Sequence, residues 1–560
     1  MSLGKFDPFN WEEVKNVSEE LLGRNIDSLS DLEELIKDDS ELAVIISEEL
    51  ARAYIKMTRY TGNKEYGDEY EKFNETVVSP SKKYAFEILK KIIESEFAAA
   101  LPGNRYANLL RILKNDSEIF SEKNLPLFVE ADKLGHEYFK ISGSISVEFR
   151  GNSYTPQKMA IFFKDKNREV RREAYMALNR ARREKAGELN GVFDKLVSVR
   201  HRMALNAGFE NFRDFKHKEL KRFDYTPADC VEFHESVKMI IVPFWNEILN
   251  IRKERLDLDE VRPWDTEVDF LSDKELRPFK DSEEFLEKTE AILSRLDPAF
   301  ADNIRVMKKN DMFDLDSRSG KAPGGYNYPL PRTKMPFIFM NAVGLNNDLF
   351  TLLHESGHAA HTFLGKNEDL YRYLELPSEV AELASMSMEL LNLKNLDVFY
   401  KDPECLKLAV FGELEGIVKF FPWMSSIDSF QQWVYTNPHA GPAGREDKWL
   451  GIRKEFGGNI DVSGTEEFER TMWHKQLHIF DAPFYYIEYG IAQLGALQVW
   501  RNYSNDPVIG LAKYKKALSL SYSKPIPEIY EAAGIKFDFG EETVRKTMEF
   551  LREQIFGLLD

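Results

Sequence analysis

The sequence predicts an all-α protein with a few short strands, because helical periodicity dominates the chain and strand signals are scarce. From Ser30 to Arg59, apolar residues recur at intervals of three and four, with charged residues between them, which is the pattern of an amphipathic helix. Thr226-Pro227 has the form of a helix start, and the helix it begins runs towards Arg255. Asp281-Ser282 begins another helix, which ends before Asp297-Pro298.

Two segments predict short strands. Val147 and Phe149 alternate with polar residues before Gly151, which indicates a hairpin. Pro336–Asn341 is a compact apolar run after a loop rich in Gly and Pro, and its short length favours a strand over a helix. Such a strand could pair with an extended peptide through main-chain hydrogen bonds. The hairpin also gives the predicted domain boundary, with an N-terminal helical region at 1–150 and a catalytic region at 151–560.

The composition limits the classes of function. The chain has 560 residues, 43% of them hydrophobic, which is ample material for a large core and excludes disorder. The 76 basic residues against 94 acidic ones leave a net charge of −18, which disfavours nucleic acid and anionic membrane surfaces as partners. Only two cysteines occur, no signal peptide is evident, and the longest apolar run, Met239–Trp245, is too short to span a bilayer. These features predict a cytoplasmic protein.

The decisive motif lies between His354 and His361, which read His-Glu-Ser-Gly-His-Ala-Ala-His. His354 and His358 are four residues apart, so on a helix they lie on one face and can direct two imidazole nitrogens at a single Zn²⁺. Glu355 follows the first histidine directly and can hold a water molecule beside the metal without binding the metal itself. About 0.03 chance matches to this His-Glu-x-x-His pattern are expected from the composition of the chain.

A catalytic zinc usually has a third protein ligand, and the sequence offers several candidates. The favoured one is Glu382, on a second helix that is predicted to start at Pro377-Ser378, because a carboxylate from another helix converges easily on the two histidines. His361 is an alternative, although a straight helix makes three histidines over two turns hard to bring to one ion. Glu375 and Glu379 remain open as well. Glu389 shares a helical face with Glu382 and is expected to orient a ligand histidine.

These residues resemble the thimet oligopeptidase and oligoendopeptidase F family of zinc metallopeptidases. The resemblance rests on the motif from His354 to His361, on Glu382-Leu-Ala-Ser followed by Glu389, and on Phe-Met-Asn-Ala-Val-Gly before the motif. It is specific from about residue 320 to 503, and the chain length is similar to that of shorter bacterial members, including those called PZ-peptidases. Residues 1–150 match only in length and helical character.

The resemblance implies a two-lobed helical fold with zinc deep in a channel between the lobes. It implies one Zn²⁺ per chain, held by His354, His358 and Glu382, with Glu355 as the general base. It also implies endopeptidase activity on oligopeptide substrates. If the site lies in such a channel, short peptides are expected to be cut and folded proteins to resist cleavage.

A second region of the resemblance is rich in tyrosine. In this sequence it contains His478, Tyr485, Tyr486 and Tyr489, and family members use a histidine and tyrosines here to stabilise the tetrahedral intermediate of peptide hydrolysis. Tyrosine hydroxyls are strong neutral donors that suit an oxyanion. Tyr489 and one of the other two tyrosines lie three or four residues apart on one predicted helix, and which of them pairs with Tyr489 stays open.

The sequence therefore predicts a zinc metalloendopeptidase that hydrolyses oligopeptides with a water activated by the metal. One alternative is a zinc carboxypeptidase of the related helical type, which requires a cationic group near the zinc to hold the terminal carboxylate of the substrate. Another alternative is a catalytically inactive peptide-binding protein, against which the presence of Glu355 argues.

Overall fold

The computed structural model describes residues 3–559 and confirms the all-α prediction. Helices account for most of the described chain, and the strands are few and short. The chain forms two compact units, each assembled from three separate stretches of sequence. The first unit contains residues 1–118, 276–406 and 495–537, and the second contains residues 119–275, 407–494 and 538–560. The boundary predicted near residue 150 lies inside the second of these units.

The first unit contains the predicted zinc motif. Its helices and helical turns are Trp11–Gly23, Leu29–Arg59, Lys64–Phe73, Asn74–Val78, Ser79–Glu94, Ala98–Ala100, Ser282–Leu296, Pro298–Lys309, Asn346–Leu364, Tyr371–Leu374, Ser378–Leu391, Leu393–Val398, Pro507–Leu518 and Ile526–Ala532. Three further helices contain residues of both units, namely Gly103–Ile119, Pro403–Thr436 and Tyr486–Asn505.

The second unit contains the tyrosine-rich segment. Its helices and helical turns are Glu122–Asn124, Leu125–Gly143, Ala160–Phe163, Arg168–Glu184, Ala186–Asn206, Phe212–Glu219, Pro227–Ser236, Val237–Ile241, Val242–Arg255, Pro263–Asp265, Pro442–Phe456, Glu466–Glu469, Met472–Lys475, Leu477–Phe480 and Glu541–Leu559. None of the helices in the described part of the chain combines the length and the apolar character that a bilayer crossing requires.

The predicted helix boundaries agree closely with the structure. The first amphipathic pattern forms the helix Leu29–Arg59, whose N-cap Ser28 accepts a hydrogen bond from the backbone N–H of Asp31. The helix after Asp281 runs over Ser282–Leu296, with the Asp281 side chain as its cap. The N-terminal ends of both helices follow from capping, because a short polar side chain satisfies backbone N–H groups that have no partner within the helix.

The helix predicted from Thr226-Pro227 to Arg255 is interrupted in a way that the sequence analysis did not anticipate. It runs as Pro227–Ser236, widens into a π-helical turn at Val237–Ile241 and continues as Val242–Arg255. Pro243 follows this turn, and its ring would clash with the carbonyl four residues earlier in a regular α-helix. The π-turn at residues 74–78 is likewise followed by a proline, Pro80.

The predicted hairpin is present as Val147–Phe149 paired antiparallel with Asn152–Tyr154. The second strand prediction is also confirmed, as Met335–Ala342. This strand is the centre of a three-stranded sheet, with Phe313–Asp316 parallel on one side and Tyr326–Leu330 antiparallel on the other. Because both of its edges are paired, this strand cannot pair with an extended peptide, a possibility that the sequence had left open. Only the outer strands have a free edge within this sheet.

Candidate functional site

The zinc motif lies on the helix Asn346–Leu364, called here the motif helix. Asp348 caps its start by accepting hydrogen bonds from the backbone N–H groups of Val343 and Leu345, each at 2.8 Å. The apolar face of the helix is buried, whereas the side chains of His354 and His358 keep 23% and 20% of their surface exposed. The two imidazoles therefore project from one face of a helix whose opposite face is buried.

The motif helix also packs against the outer strand Tyr326–Leu330. The side-chain amide of Asn327 on this strand donates a hydrogen bond to the backbone carbonyl of Glu355, at 3.0 Å. Nothing in the sequence marks Asn327 for this role, because its partner is a main-chain atom and such a contact leaves no pattern in the sequence.

A second helix, Ser378–Leu391, carries Glu382 and begins at the predicted position after Pro377; it is called here the carboxylate helix. It approaches the motif helix so closely that a Cβ built on Gly357 would lie 2.5 Å from the Cα atom of Ser385 and 2.6 Å from the carbonyl oxygen of Ala384. Real Cβ atoms do not come so near to backbone atoms. Gly357 is therefore required by the contact between the two helices, and this contact brings the carboxylate to the histidines.

Three ligand atoms converge where the two helices meet. The Nε2 atoms of His354 and His358 lie 3.2 and 3.7 Å from the Oε2 atom of Glu382, and the three atoms all lie within 4.8 Å of one another. Ligands at 2.0–2.2 Å from a tetrahedral zinc ion are about 3.3–3.6 Å apart. Two imidazoles and a carboxylate are also the donor set of many catalytic zinc sites. The residues present therefore fit a zinc ion.

The carboxylates of Glu382 and Glu389 lie beside His354 and favour a positive charge at this position. The Nδ1 atom of His354 lies 2.6 Å from the Oε1 atom of Glu389, and the hydroxyl of Ser385 donates a hydrogen bond to the Oε2 atom of Glu382 at 3.0 Å. Burial disfavours a charged imidazole, but the hydrogen bonds to Glu382 and Glu389 outweigh it and raise the pKa of His354 well above its usual value. The same two carboxylates would favour a cation bound at this position.

The other two candidate ligands are in the protonation states that metal binding needs. Burial lowers the pKa of His358 to about 4, so its imidazole is neutral at neutral pH. For Glu382, burial acts to raise the pKa, but the hydrogen bond with His354, the charge of His354 and the hydrogen bond from Ser385 prevail and lower it to about 2. Glu382 is therefore a carboxylate over the whole physiological range.

Glu355 is buried beside these ligands without being one of them. Its Oε2 atom is inaccessible to solvent and has no hydrogen-bond partner among the described residues. A buried carboxylate oxygen without a partner is costly, so it indicates a position at which a water or a substrate group completes the site. Burial raises the pKa of Glu355 to about 7, which suits a group that both accepts and releases a proton near neutral pH.

The alternative third ligands do not join this cluster. His361 is 2% exposed, and neither of its ring nitrogens has a hydrogen-bond partner among residues 3–559. Burial lowers the pKa of His361 to about 3, which keeps the ring neutral. Within the same described part of the chain, the group able to hold a metal contains neither His361 nor Glu375 nor Glu379.

The tyrosine-rich segment forms a ring cluster in the second unit. The ring centroids of Tyr485, Tyr486 and Tyr489 lie 5.9, 5.0 and 6.0 Å from that of His478. Tyr489 in turn lies 5.0 Å from Tyr485 and 5.8 Å from Tyr486. Burial raises the pKa of Tyr486 to about 12, so its hydroxyl stays protonated and able to donate.

The start of the helix distinguishes the two candidate partners of Tyr489. The helix begins at Tyr486, so Tyr485 precedes it and does not share a helical face with Tyr489. The reason is Phe484, which has a φ of 67°, in the left-handed region that ends regular structure before the helix starts. Both tyrosines nevertheless contact Tyr489, so the structure leaves the choice between them open.

Buried polar side chains hold this unusual turn in place. The Oε1 atom of Gln431 accepts a hydrogen bond from the backbone N–H of Phe484 at 2.9 Å, and Arg222 donates to the carbonyl of the same residue at 2.5 Å. Arg222 also forms a buried ion pair with Glu488, at 2.7 Å. Strain of this kind persists only where the surroundings determine the backbone conformation, as these contacts do.

A further chain of hydrogen bonds fixes the tautomer of His478. The indole N–H of Trp423 can only donate, and it donates to the Oε1 atom of Gln476 at 3.0 Å. The Nε2 amide of Gln476 must then face the Nδ1 atom of His478, at 2.6 Å. Nδ1 is therefore the acceptor and Nε2 carries the hydrogen, which makes neutral His478 a hydrogen-bond donor through Nε2. Nothing in the sequence marks Trp423 or Gln476 for this role, because they are more than fifty residues apart and meet only in the folded chain.

The close approach at Gly357 can be tested directly. Gly357→Ala is expected to force the motif and carboxylate helices apart, to reduce the amount of zinc bound per chain and to destabilise the fold by about 1–3 kcal/mol, the usual cost of overpacking. Elemental analysis and thermal unfolding measure both effects. The matched control is Gly412→Ala on the helix Pro403–Thr436, where an added Cβ meets no atom within 4 Å. Equal zinc content in the two variants would contradict the role assigned to Gly357.

Comparison with known proteins identifies the family. Oligopeptidase PepF of Bacillus subtilis is 26% identical over 302 residues, which cover 50% of this chain and 42% of that protein, so the match spans less than half the length of this relative. The plasmid-encoded oligoendopeptidase F of Lactococcus lactis subsp. cremoris is 20% identical over 91% of this chain and 87% of its own length. The solved structure of PZ peptidase A with inhibitor 2 superposes with a TM-score of 0.91 at 26% identity, covering 99% of this chain and 98% of the other. The model of peptidase family M3 matches residues 161–549, and the chain therefore belongs to that family.

Proposed function

We propose that this protein is a zinc endopeptidase that hydrolyses short to medium oligopeptides. The observation that carries the proposal is the convergence of His354, His358 and Glu382, within 4.8 Å, beside a buried Glu355 oxygen that has no partner among the described residues. The membership of peptidase family M3 supports the reaction class. A zinc ion, when bound by the three ligands, would lower the pKa of a water molecule and polarise the scissile carbonyl.

In this proposal Glu355 moves the protons of the reaction. It accepts a proton from the water as the water oxygen attacks the carbonyl carbon, and it delivers that proton to the amine as the peptide bond breaks. Burial raises its pKa to about 7, a value at which both transfers are feasible, and a cation nearby would lower the pKa from there. Glu389 and Ser385 act through the ligands, because they fix the orientation of His354 and of Glu382.

The tyrosine cluster is proposed to donate hydrogen bonds to the oxyanion that forms in the transition state. Its support is the resemblance of the segment to the family and the presence of several neutral donors in one cluster. Tyr486 keeps its proton because burial raises its pKa to about 12, and His478 carries its hydrogen on Nε2. Neutral donors suit this role because they stabilise negative charge without being titrated at neutral pH.

The proposed location is the cytoplasm, a reducing compartment. It is supported by the two cysteines, because Cys230 is a buried free thiol and Cys405 is a partly exposed one.

An internally quenched peptide that is blocked at both ends tests the proposed function. Cleavage of this peptide by the zinc-loaded protein is expected, since an endopeptidase needs neither terminus. Trimming of an unblocked peptide without cleavage of the blocked one would support a carboxypeptidase instead. Binding of both peptides without any cleavage would support an inactive peptide-binding protein.

The tyrosines are expected to act on turnover and not on binding. Tyr489→Phe, and the same change at the correct one of Tyr485 and Tyr486, should lower kcat by about a hundred- to a thousandfold with little change in KM, because the lost hydrogen bond forms mainly in the transition state. Steady-state kinetics on the quenched peptide measure both constants. Tyr503→Phe, further along the same helix, is the matched control and should behave like the parent protein. A loss confined to KM would show that these hydroxyls bind the ground state.

A further inference from the structure

The short helix that carries His478 ends with two backbone carbonyls whose usual helical donors are missing. In a continued α-helix the carbonyls of Ile479 and Phe480 would accept hydrogen bonds from the N–H groups four residues later. For Ile479 that residue is Pro483, which has no N–H group. For Phe480 it is Phe484, whose N–H donates to a glutamine side chain instead. Both carbonyls therefore need donors from another part of the fold.

The side chain of Arg200 supplies these donors. Its Nη1 atom donates to the carbonyl oxygen of Ile479 at 3.1 Å and to the hydroxyl of Tyr435 at 2.6 Å. Its Nη2 atom donates to the carbonyl oxygen of Phe480. These three acceptors are neutral oxygens, so the contacts fix backbone geometry and do not neutralise a carboxylate. A guanidinium suits this task because its donors lie in a rigid planar fork.

Arg200 is held firmly in the interior of the second unit. It lies on the helix Ala186–Asn206 and is only 4% exposed. Its guanidinium carbon lies 5.9 Å from the ring centroid of Phe212 and 6.0 Å from that of Tyr435. Burying a charged group costs free energy unless hydrogen bonds satisfy it, and the three acceptors do so here. Packing and hydrogen bonds together fix the orientation of the guanidinium.

Tyr435 joins this contact to the left-handed turn at Phe484. The hydroxyl of Tyr435 accepts from Arg200, and its ring centroid lies 5.4 Å from that of Phe484. The carbonyl of Phe484 is in turn held by Arg222, at 2.5 Å. Two buried arginines therefore hold the backbone at both ends of the stretch from Ile479 to Phe484.

The side chains proposed to act in catalysis flank this stretch. His478 precedes it and Tyr485 follows it, and both are partly exposed, whereas Ile479 and Phe480 are fully buried. The ring of Phe480 stacks on that of Tyr138, with centroids 4.1 Å apart. The stretch is thus anchored on its buried side by ring packing and by the guanidinium, and the polar side chains at its ends face outwards.

We propose that Arg200 is a positioning residue for peptide hydrolysis, which acts by fixing the backbone that carries His478. The proposal rests on the proposed peptidase function and deepens it, since it assigns the placement of an oxyanion donor to a residue outside the reacting groups. A helix of four residues has little stability of its own, so its position depends on such contacts. A misplacement of about 1 Å can cost about a hundredfold in rate.

Steady-state kinetics of the zinc-loaded protein on the quenched peptide test this role. Arg200→Lys keeps the charge but presents its donors from a single nitrogen, so it cannot satisfy two carbonyls and a hydroxyl in the same geometry. Its kcat is expected to fall by about ten- to a hundredfold with little change in KM, because the oxyanion donors act mainly in the transition state. The matched control is Arg202→Lys, a half-exposed position on the same helix, which should keep the constants of the parent protein.

A double-mutant cycle with His478→Phe separates positioning from general damage. If Arg200 acts through His478, adding Arg200→Lys to the His478→Phe variant should lower kcat by no more than about twofold further. A loss that is as large in this background as in the parent protein would overturn the proposal. The same holds if Arg200→Lys alone leaves kcat unchanged, an outcome that does not affect the proposed endopeptidase.

Hydrogen exchange measured by mass spectrometry gives a readout that does not depend on activity. In Arg200→Lys and Arg200→Met, the backbone amides of residues 477–485 should exchange faster than in the parent protein, whereas those of the helix Glu541–Leu559 in the same unit should not change. Faster exchange throughout the unit, or failure of both variants to fold, would show that Arg200 supports the fold as a whole and would overturn the specific role. The expected local change in a protein that hydrolyses no peptide would contradict the endopeptidase alone, and the fixing of this backbone by Arg200 would stand.

Discussion

Replacing Glu355 by glutamine is expected to abolish nearly all peptide hydrolysis while the protein still folds and binds zinc. Glutamine has almost the same size and shape as glutamate, but it cannot accept the proton of the attacking water. General-base catalysis contributes about 10²–10⁴-fold to a rate, and a loss of at least this order in kcat is expected. The quenched-peptide assay measures the loss, and elemental analysis checks the metal.

The structure explains why zinc binding should survive this change. The side chain of Glu355 lies beside the cluster formed by His354, His358 and Glu382 and is not one of its three ligands. Its Oε2 atom has no partner among the described residues, so the substitution breaks no hydrogen bond at that atom. A neutral amide is also easier to bury than a carboxylate, so stability is not expected to fall.

Glu355→Asp provides the informative control. Aspartate is a base of similar strength, but its carboxylate is one methylene shorter and lies further from the water. It should therefore retain more activity than Glu355→Gln and less than the parent protein. Equal activity of the Asp and Gln variants, or substantial turnover by the Gln variant, would contradict the assignment of Glu355 as the base.

The sequence predicts most of the fold because its helices follow local rules. The helices Leu29–Arg59 and Ser282–Leu296 start where Ser28 and Asp281 cap them, because each side chain accepts a hydrogen bond from the backbone N–H three residues later. The π-turn at Val237–Ile241 was missed, although Pro243 is visible in the sequence. A proline within a helical pattern leaves open whether the helix ends, bends or widens, and tertiary packing decides among these outcomes.

The sequence predicts only part of the candidate site. Contacts within one helix are predictable from spacing, whereas contacts between distant segments are not. The spacing of His354 and His358 on one helix follows from helical geometry alone. The approach of the carboxylate helix depends on Gly357, and a glycine in a helix does not reveal which backbone it contacts. The role predicted for the tyrosine-rich segment came from the resemblance to a known family and not from residue spacing.

The left-handed Phe484 shows the same limit more strongly. Phenylalanine seldom adopts this conformation, and it does so here because Gln431 and Arg222 hold its backbone. Both residues are distant from Phe484 in sequence, so their contacts with it are a product of the fold.

The second large effect is expected at Glu382. In Glu382→Ala the content of zinc should fall sharply from close to one ion per chain, and hydrolysis should fall with it, because two histidines alone form an incomplete site. Elemental analysis after dialysis against a weak chelator measures the loss. Glu382→Gln, which keeps the size of the side chain, separates the loss of the ligand charge from the loss of packing in a position that is only 5% exposed.

His361→Ala is the control that decides between the possible third ligands. His361 is buried and lies on the same helix as His354, but it is absent from the group of atoms that could hold a metal in residues 3–559. Its removal should cost stability through the cavity it leaves and should leave the zinc content unchanged. Full zinc content in Glu382→Ala together with loss of zinc in His361→Ala would make His361 the third ligand. We expect loss of zinc in Glu382→Ala and full zinc content in His361→Ala, because the Oε2 atom of Glu382 lies 3.2 Å from the Nε2 atom of His354 and 3.7 Å from that of His358.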